Sequence, residues 1–281
     1  MTPARTGAGP NRRRAGECRL TRPNGLGLNG AFTYADQMSD ILSRRFTPSP
    51  ALVAQYVDRG SGHRILVSRP DDQPDLWLAY LAGARTSYRR HDVESVLEYD
   101  DVVDGRSTAL FFAAVDRSRR VVAGMRVQGP YLHPDESHAV TEWAGRPGTE
   151  QLRNEIGRRI PDGVIEMKTG WVDDDAENRR PLAGAMARVF VHSLRLMNVR
   201  YAMGTVGQHA IRRWRTCGGV VSDLVTPVAY PDDRHSTVLM WWDRQTFADL
   251  ANDEQLPLIL DESAQLEGRG LPLQRNRAIS A

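Results

Sequence analysis

The chain has 281 residues, of which 41% are apolar and 26% are charged, a balance typical of a globular protein with a sizeable core. A net charge of +2 excludes a global electrostatic field for nucleic acid, and no apolar run reaches the roughly 18 residues that a membrane-spanning helix needs. Two cysteines are too few for a disulfide framework or a metal site, and no apolar secretory signal is present. We therefore expect a cytoplasmic protein with no membrane span, no nucleic-acid partner and no metal.

The N-terminal region divides into two parts. Residues 1–30 hold six arginines among glycines and prolines, which predicts a disordered basic leader or, alternatively, an arm for an acidic partner. Residues 31–72 are predicted to be a helical extension, with helical apolar spacing over residues 34–46. A Ser-Pro pair typical of a helix start predicts a second helix from Ser49 to Val57, and a short strand follows at residues 64–68.

Residues 73–247 alternate between helix and strand patterns. Strand, helix and strand in succession indicate a parallel strand pair, and the helix between them starts where α/β folds bind ligands. The C-terminal residues 248–281 show little periodicity and are predicted to be a tail. In chain order, the predicted elements are a helix (75–90), a hairpin (107–116 and 121–129), a long loop (129–149), a helix (151–160), a strand (164–172), a helix (181–197), a strand (199–206), a short helix (208–219) and a hairpin around residues 231–233.

Two segments together resemble the GNAT acyltransferase superfamily. The run Arg-Pro-Leu-Ala-Gly-Ala resembles its phosphate loop, with Arg180, Ala183 and Ala185 at the three defined positions. The run "QHAIRRWRTCGG" resembles a family helix that follows about thirty residues later. Its residues in register are Ala210, Trp214 and Gly218, with Gln208 near the position of the family's asparagine. The resemblance covers roughly residues 75–245 and implies a central mixed sheet with helices on both faces and a splayed parallel strand pair at the cofactor slot.

Within that superfamily, the layout is most similar to the acyl-homoserine-lactone synthases and N-acyl amino acid synthases. Those enzymes also have a helix, an acidic loop and then a hairpin, as residues 75–128 do here. They carry Glu-x-x-Arg on the fourth strand. Here Glu166 matches the glutamate, but Thr169 replaces the arginine, so homoserine-lactone synthesis itself is not expected.

The helix start near residue 180 suits a phosphate group. First-turn N–H groups are unpaired and carry partial positive charge, and small side chains allow an anion to approach them. Arg179 and Arg180 supply fixed charge, and Ala183, Gly184 and Ala185 supply the small side chains. The alternative is a plain helix start at Pro-Leu-Ala. Arg212, Arg213 and Arg215 extend this charge into a basic rim, for the phosphates of coenzyme A or for an acidic acyl carrier protein.

Glu166 and Lys168, the single lysine of the chain, are two residues apart and so share one face of their strand. The resemblance places that strand beside the acceptor cleft, where Glu166 would take a proton from an incoming ammonium and Lys168 would hold it ionised or grip an acceptor carboxylate. The alternative is a surface ion pair. Trp171 and Val172 would lie beside the pantetheine arm.

Trp214 stands where many acetyltransferases have a tyrosine that protonates the leaving thiolate. Indole has no usable acidity, so this route is lost, and Trp214 is alternatively a core anchor. Cys217 precedes two glycines at a helix end and is predicted to be buried and structural. His133 and His138 lie in the long loop with Asp135 and Glu136, in a spacing that fits no established metal-binding pattern.

These observations favour a GNAT-type N-acyltransferase. It would move an acyl group from acyl-CoA, or from the phosphopantetheine of an acyl carrier protein, to the amine of a small molecule by direct attack in a ternary complex. One alternative is a long-chain N-acyl amino acid synthase, which an acyl tunnel between the sheet and residues 75–90 would favour. Another is a non-catalytic domain that binds acyl-CoA.

Overall fold

The computed structural model describes residues 52–267. The predicted leader and the helix predicted over residues 34–46 lie outside this range. Every helix within it is too short or too polar to cross a membrane. The helices are α1 (Pro74–Arg90), α2 (Tyr99–Val102), α3 (His138–Glu142), α4 (Thr149–Gly157), α5 (Arg179–Leu196), α6 (Ile211–Arg215), α7 (Phe247–Leu250) and α8 (Leu256–Glu267).

The strands are β1 (Ala54–Val57), β2 (Arg64–Ser68), β3 (Leu110–Val115), β4 (Val121–Gln128), β5 (Val164–Val172), β6 (Tyr201–Gly207), β7 (Val220–Val221), β8 (Val228–Ala229) and β9 (Ser236–Asp243). They form one mixed sheet in the described part of the chain, in the order β1-β2-β3-β4-β5-β6-β9-β7, and β8 pairs with β9. Only β5 and β6 pair in parallel, and the other pairs are antiparallel. The predicted α/β class with a central mixed sheet is confirmed.

The parallel strands β5 and β6 separate after a short contact. Their paired residues are Val164 with Tyr201, Ile165 with Ala202, and Glu166 with Met203. Beyond Glu166 the strands continue without pairing to each other. The predicted splayed strand pair is therefore confirmed.

A bulge in β5 lies beside this separation. Arg126 and Gly124 of β4 oppose Lys168 and Trp171 of β5, so β5 carries one extra residue between these pairs. Thr169, at the bulge, has a φ of 52°, which is a strained value for a β-branched residue. Its conformation is held from both ends, because Arg126 Nε donates to its hydroxyl (3.1 Å) and the Tyr80 hydroxyl donates to its carbonyl (2.7 Å).

The two faces of the sheet carry separate apolar cores. The α5 face packs Met186, Phe190 and other buried side chains against the sheet. On the opposite face, Trp77 and Tyr80 of α1 pack against Phe111. Side chains from α3 and α4 extend this second face. The slot between β5 and β6 therefore opens toward different helices on its two sides.

Three local predictions are wrong. The helix predicted from Ser49 to Val57 is a strand over Ala54–Val57, because pairing with β2 overrides the local Ser-Pro signal. The loop predicted over residues 129–149 contains α3, whose N-terminus is capped by a buried carboxylate of β5. The C-terminal region predicted as a tail contains α8, which packs against α5 and β1.

A buried charge cluster attaches α8 to α5. The Arg188 guanidinium donates to both oxygens of Glu262 (2.8 and 2.9 Å) and to Asp58 (2.6 Å). His192 lies 2.7 Å from Glu262, and all four side chains are at most 1% exposed. Because buried charges must be paired to be tolerated, this cluster fixes the register of the C-terminal helix on the helix that borders the slot.

Candidate active site

A cavity of about 680 Å³ fills the space between the diverging strands. It is lined from the α5 face by Met186 and Phe190 and from the α1 face by Tyr88 and Lys168. The cavity therefore passes through the sheet and opens toward both of its faces.

The mouth on the α5 face is basic. Arg179, Ala183, Met186 and Phe190 line it from one stripe of α5. Arg213 and Trp214 of α6 line the same mouth, and Trp214 packs edge-on against Phe190 with ring centroids 5.2 Å apart. Partial burial and the like charge of Arg179 lower the pKa of Arg213. Two arginines brought together in this way form a site that favours an anion.

The first turn of α5 offers two N–H groups. Asn178 precedes the helix at a φ of 53°, and its side chain donates to the Ser61 carbonyl (3.0 Å) instead of capping the helix. The N–H of Leu182 bonds to the Asn178 carbonyl. Within residues 52–267, the N–H groups of Arg179 and Arg180 have no protein acceptor.

The structure separates the residues of the predicted phosphate loop. The helix already begins at Arg179, so the N–H groups of Ala183, Gly184 and Ala185 lie in its second turn, where they bond within the helix. Ala183 lines the cavity, but Gly184 faces Gln255 and Ala185 is fully buried. Arg180 and Gln208 are exposed and do not line the cavity.

The loop that enters α5 is acidic, a feature the resemblance does not predict. Asp173, Asp174, Asp175 and Glu177 lie between β5 and α5, and Asp174 accepts a hydrogen bond from Arg179 (2.7 Å). A pyrophosphate in this loop would face repulsion. Anion binding at this mouth therefore depends on Arg213 and on the two unpaired N–H groups.

Glu166 lies apart from the cavity. It is fully buried, and its oxygens accept hydrogen bonds from the hydroxyls of Tyr131 (2.8 Å) and Ser137 (3.0 Å). The N–H groups of His138 (2.9 Å) and Ala139 (3.2 Å) also donate to it. Glu166 thus caps the first turn of α3 and fixes that helix on β5. Glu166, predicted to face the acceptor cleft, therefore does not line this cavity.

Lys168 does line the cavity, together with Glu142, which the sequence reasoning missed. The Lys168 ammonium lies 2.5 Å from Glu142 Oε1, 2.9 Å from His138 Nδ1 and 3.9 Å from Glu166. Thr205 of β6 donates to the same Glu142 oxygen (3.0 Å). Glu142 of α3 therefore links Lys168 of β5 to Thr205 of β6.

Burial alone would raise the pKa of Glu142, but the Lys168 charge and the hydrogen bonds from His138 and Lys168 lower it to about 2. The pKa of His138 is raised: burial opposes the charged form, and its hydrogen bonds to Glu142 and Glu98 outweigh burial. Glu142 Oε2 is buried and has no hydrogen-bond partner in the described residues. An ionised oxygen without a donor is suited to accept one from a ligand.

His138, Glu142 and Glu166 have the geometry of a metal-binding group, with their ligand atoms within 4.8 Å of one another. The Lys168 ammonium lies among these atoms and supplies the positive charge that a bound cation would bring. The residues therefore fit an internal ammonium better than a metal ion.

The α1-face mouth is polar and aromatic. Tyr88, His91, Tyr230 and His235 line it, and none of them was predicted as a site residue. Burial raises the pKa of Tyr88 to about 12 and also raises the pKa of Tyr230 above its ordinary value, so both hydroxyls remain protonated donors.

The sequence signal that could have identified Glu142 was its position four residues after His138, which places both on one face of a helix. The helix has only five residues, which is too short to show a helical period in the sequence.

The remaining predicted residues divide between the two faces. Val172 lines the cavity, as does Trp171, but the Trp171 indole lies on the α1 face, where it packs near Tyr80. It does not lie beside the α5 mouth. Cys217 is fully buried, and burial raises the pKa of its thiol to about 11, as suits a structural cysteine.

No protein-family model matches the sequence. Uncharacterized proteins of Mycobacterium tuberculosis and Mycobacterium bovis are 46% identical to it over 203 residues, which are 72% of this chain and 77% of each relative. The chain belongs to their family.

Among solved structures, the chain is similar to an N-acyl amino acid synthase from uncultured soil microbes. The identity is 12%, over 69% of this chain and 97% of that one, with a TM-score of 0.48. It is also similar to a CoA-dependent acyl-homoserine lactone synthase, at 15% identity over 75% of this chain and 88% of that one, with a TM-score of 0.46. Likenesses at this level carry no argument about function, which depends on the site itself.

Proposed function

We propose that the protein is an N-acyltransferase that moves an acyl group from a thioester of coenzyme A or phosphopantetheine to the amine of a small molecule. The observation that carries this proposal is the cavity that passes through the sheet, with a basic mouth on one face and a carboxylate at the other. Such a passage allows two substrates to approach one point from opposite sides.

The edges of the slot suit a pantetheine arm. Past Glu166, β5 pairs with β4 and β6 pairs with β9, so the edges that face the slot have backbone groups without a strand partner. The amides of a pantetheine arm can pair with such edges as an added strand does. Ala183 leaves the approach from the α5 mouth open, and Arg213 stands at its rim.

On the α1 face, Glu142 would bind the acceptor as an ammonium. Its partnerless oxygen accepts the N–H, which orients the nitrogen toward the slot. A carboxylate with a pKa of about 2 is too weak a base to take the proton itself, so the ammonium loses its first proton to water. The free amine then attacks the thioester carbonyl and the C–N bond forms. The C–S bond breaks, and the second proton lost by the nitrogen passes through water to the departing thiolate.

Lys168 would hold Glu142 in place and keep it ionised. In this proposal Glu142 is the carboxylate at the acceptor, in place of Glu166. The oxygens of Glu166 already accept hydrogen bonds from α3 and from Tyr131. Trp214 contributes packing at the α5 mouth and cannot protonate the thiolate. Tyr88 and Tyr230 are phenol donors that line the cavity.

The test is the release of free thiol from acetyl-, octanoyl- and palmitoyl-CoA in the presence of pooled amino acids and polyamines. We expect thiol only when an amine is present. We expect Glu142→Gln to lower kcat/KM at least about a hundredfold, because misplacing a reacting group by about 1 Å can cost that much. Glu150→Gln, an exposed carboxylate on α4, is the matched control and should not alter the rate. Binding of acyl-CoA without turnover of any donor would favour the non-catalytic alternative.

A further inference from the structure

Trp171 separates the main cavity from a second, smaller one. The second cavity has a volume of about 120 Å³ and lies between α1 and the end of β5. Trp171 and Ser87 line both cavities. The indole is therefore part of the wall between them.

The indole lies directly on the backbone of α1. A Cβ atom added at Gly83 would lie 2.1 Å from Cη2 of Trp171 and 2.3 Å from Cζ2, far inside van der Waals contact. Gly83 is thus the residue that allows the ring to occupy this place. The Trp171 Nε1 group is buried with no hydrogen-bond partner in the described residues, so packing alone holds the ring.

Aromatic side chains pack between α1 and the sheet, where Trp77, Tyr80 and Phe111 have ring centroids 5.2 to 5.7 Å apart. Trp171 lines the slot on this side of the sheet and packs near Tyr80. These rings occupy space that an acyl tunnel of a long-chain synthase would need at this place.

We propose that Trp171 is the end wall of the acyl compartment and restricts the enzyme to short acyl groups. The proposal rests on the acyltransferase function. An acyl chain that enters from the α5 mouth passes the strand gap and meets the indole, and only removal of the indole joins the compartment to the second cavity. Gly83 determines chain length indirectly, as a positioning residue that seats the ring.

The experiment compares acetyl-, butanoyl- and octanoyl-CoA with the wild type, Trp171→Ala and Trp171→Phe. We expect the ratio of kcat/KM for octanoyl-CoA to that for acetyl-CoA to rise at least about tenfold in Trp171→Ala, since one methylene in an apolar pocket is worth about 10–200-fold. The same ratio for Trp171→Phe should lie between those of the wild type and Trp171→Ala. An unchanged ratio in a folded Trp171→Ala protein would overturn the proposal.

Gly83→Ala supplies the matched test, because its methyl group overlaps the indole and pushes it toward the slot. We expect it to lower the butanoyl-to-acetyl ratio and the urea midpoint when Trp171 is present. In the Trp171→Ala background it should leave the ratio unchanged and raise the midpoint, since alanine is the better helix former. Equal effects in both backgrounds would contradict the assignment. If Trp171→Ala folds poorly, the single variants Gly83→Ala and Trp171→Phe still test it, and an acyl-length profile unchanged in both would overturn the proposal.

The outcomes separate this proposal from the one on which it rests. If the wild type neither consumes nor binds any of the three thioesters, the acyltransferase function fails and the proposal fails with it. If thioesters are consumed but the length profile is the same in every variant, the function stands and the end wall is refuted.

Discussion

Replacing Glu142 by glutamine should destabilise the protein in a way that depends on pH. The folded protein lowers the pKa of Glu142 from 4.5 to about 2, a difference worth about 3 kcal/mol when the group is fully ionised in both states. Because the folded pKa is the lower one, this stabilisation is present above about pH 4.5 and is lost as the pH falls toward 2. About a quarter of it is already lost at pH 4.

Glu142→Gln has no such dependence, so the difference between wild type and variant should be about 3 kcal/mol at pH 7 and smaller at pH 4. The measurement is urea unfolding at both pH values and constant ionic strength. Lys168→Met completes a double-mutant cycle. We expect the double variant to lose much less free energy of unfolding than the sum of the losses in the two single variants, because neither charge is then left buried alone.

Glu150→Gln is the matched control, since this glutamate is largely exposed and pairs with Arg153 (3.0 Å). Exposed pairs contribute about 0–1 kcal/mol. If Glu142→Gln at pH 7 is as mild as this control, or if its cost grows as the pH falls, the buried cluster does not hold the carboxylate ionised as argued.

Three further perturbations test other parts of the structure. Glu262→Gln should cost about 3–5 kcal/mol in urea unfolding and speed hydrogen exchange in α8, because it leaves the Arg188 charge without its main partner, and a cost under about 1 kcal/mol would contradict the buried pairing. Arg213→Ala should weaken CoA binding severalfold in calorimetry, most at low salt. Arg215 is exposed and does not line the cavity, so Arg215→Ala should leave CoA binding unchanged. Equal effects of the two substitutions would refute the assignment of Arg213 to the anion-binding mouth. Cys217 should resist alkylation at pH 8 in the folded protein, since burial raises the pKa of its thiol to about 11, and peptide mapping that shows equal labelling of folded and unfolded chain would refute this.

The parts of the fold that follow from local pattern were predictable. The strand predicted over residues 164–172 is β5, and the helices predicted over residues 75–90 and 181–197 match α1 and α5 to within two residues. The parallel pairing followed from the strand-helix-strand order. These features depend on periodicity and handedness, which the sequence carries in each segment.

The errors share one physical cause, which is contact between distant segments. Alternation along β5 shows that Glu166 and Lys168 share a face, but it does not show that α3 covers one and the slot reaches the other. The pairing of β1 with β2 and the docking of α8 through Glu262 and Arg188 likewise depend on partners far along the chain. The two residues nearest the proposed chemistry, Glu142 and Lys168, come from segments 26 residues apart.

Between β5 and β6, at the middle of the described sheet, the backbone pairing consists of three residue pairs. The strands from β1 to β5 and those from β6 onward are therefore joined by a short stretch of backbone pairing. A ligand in the slot that forms hydrogen bonds to both unpaired strand edges would extend this pairing. Ligand binding and completion of the sheet would then occur together.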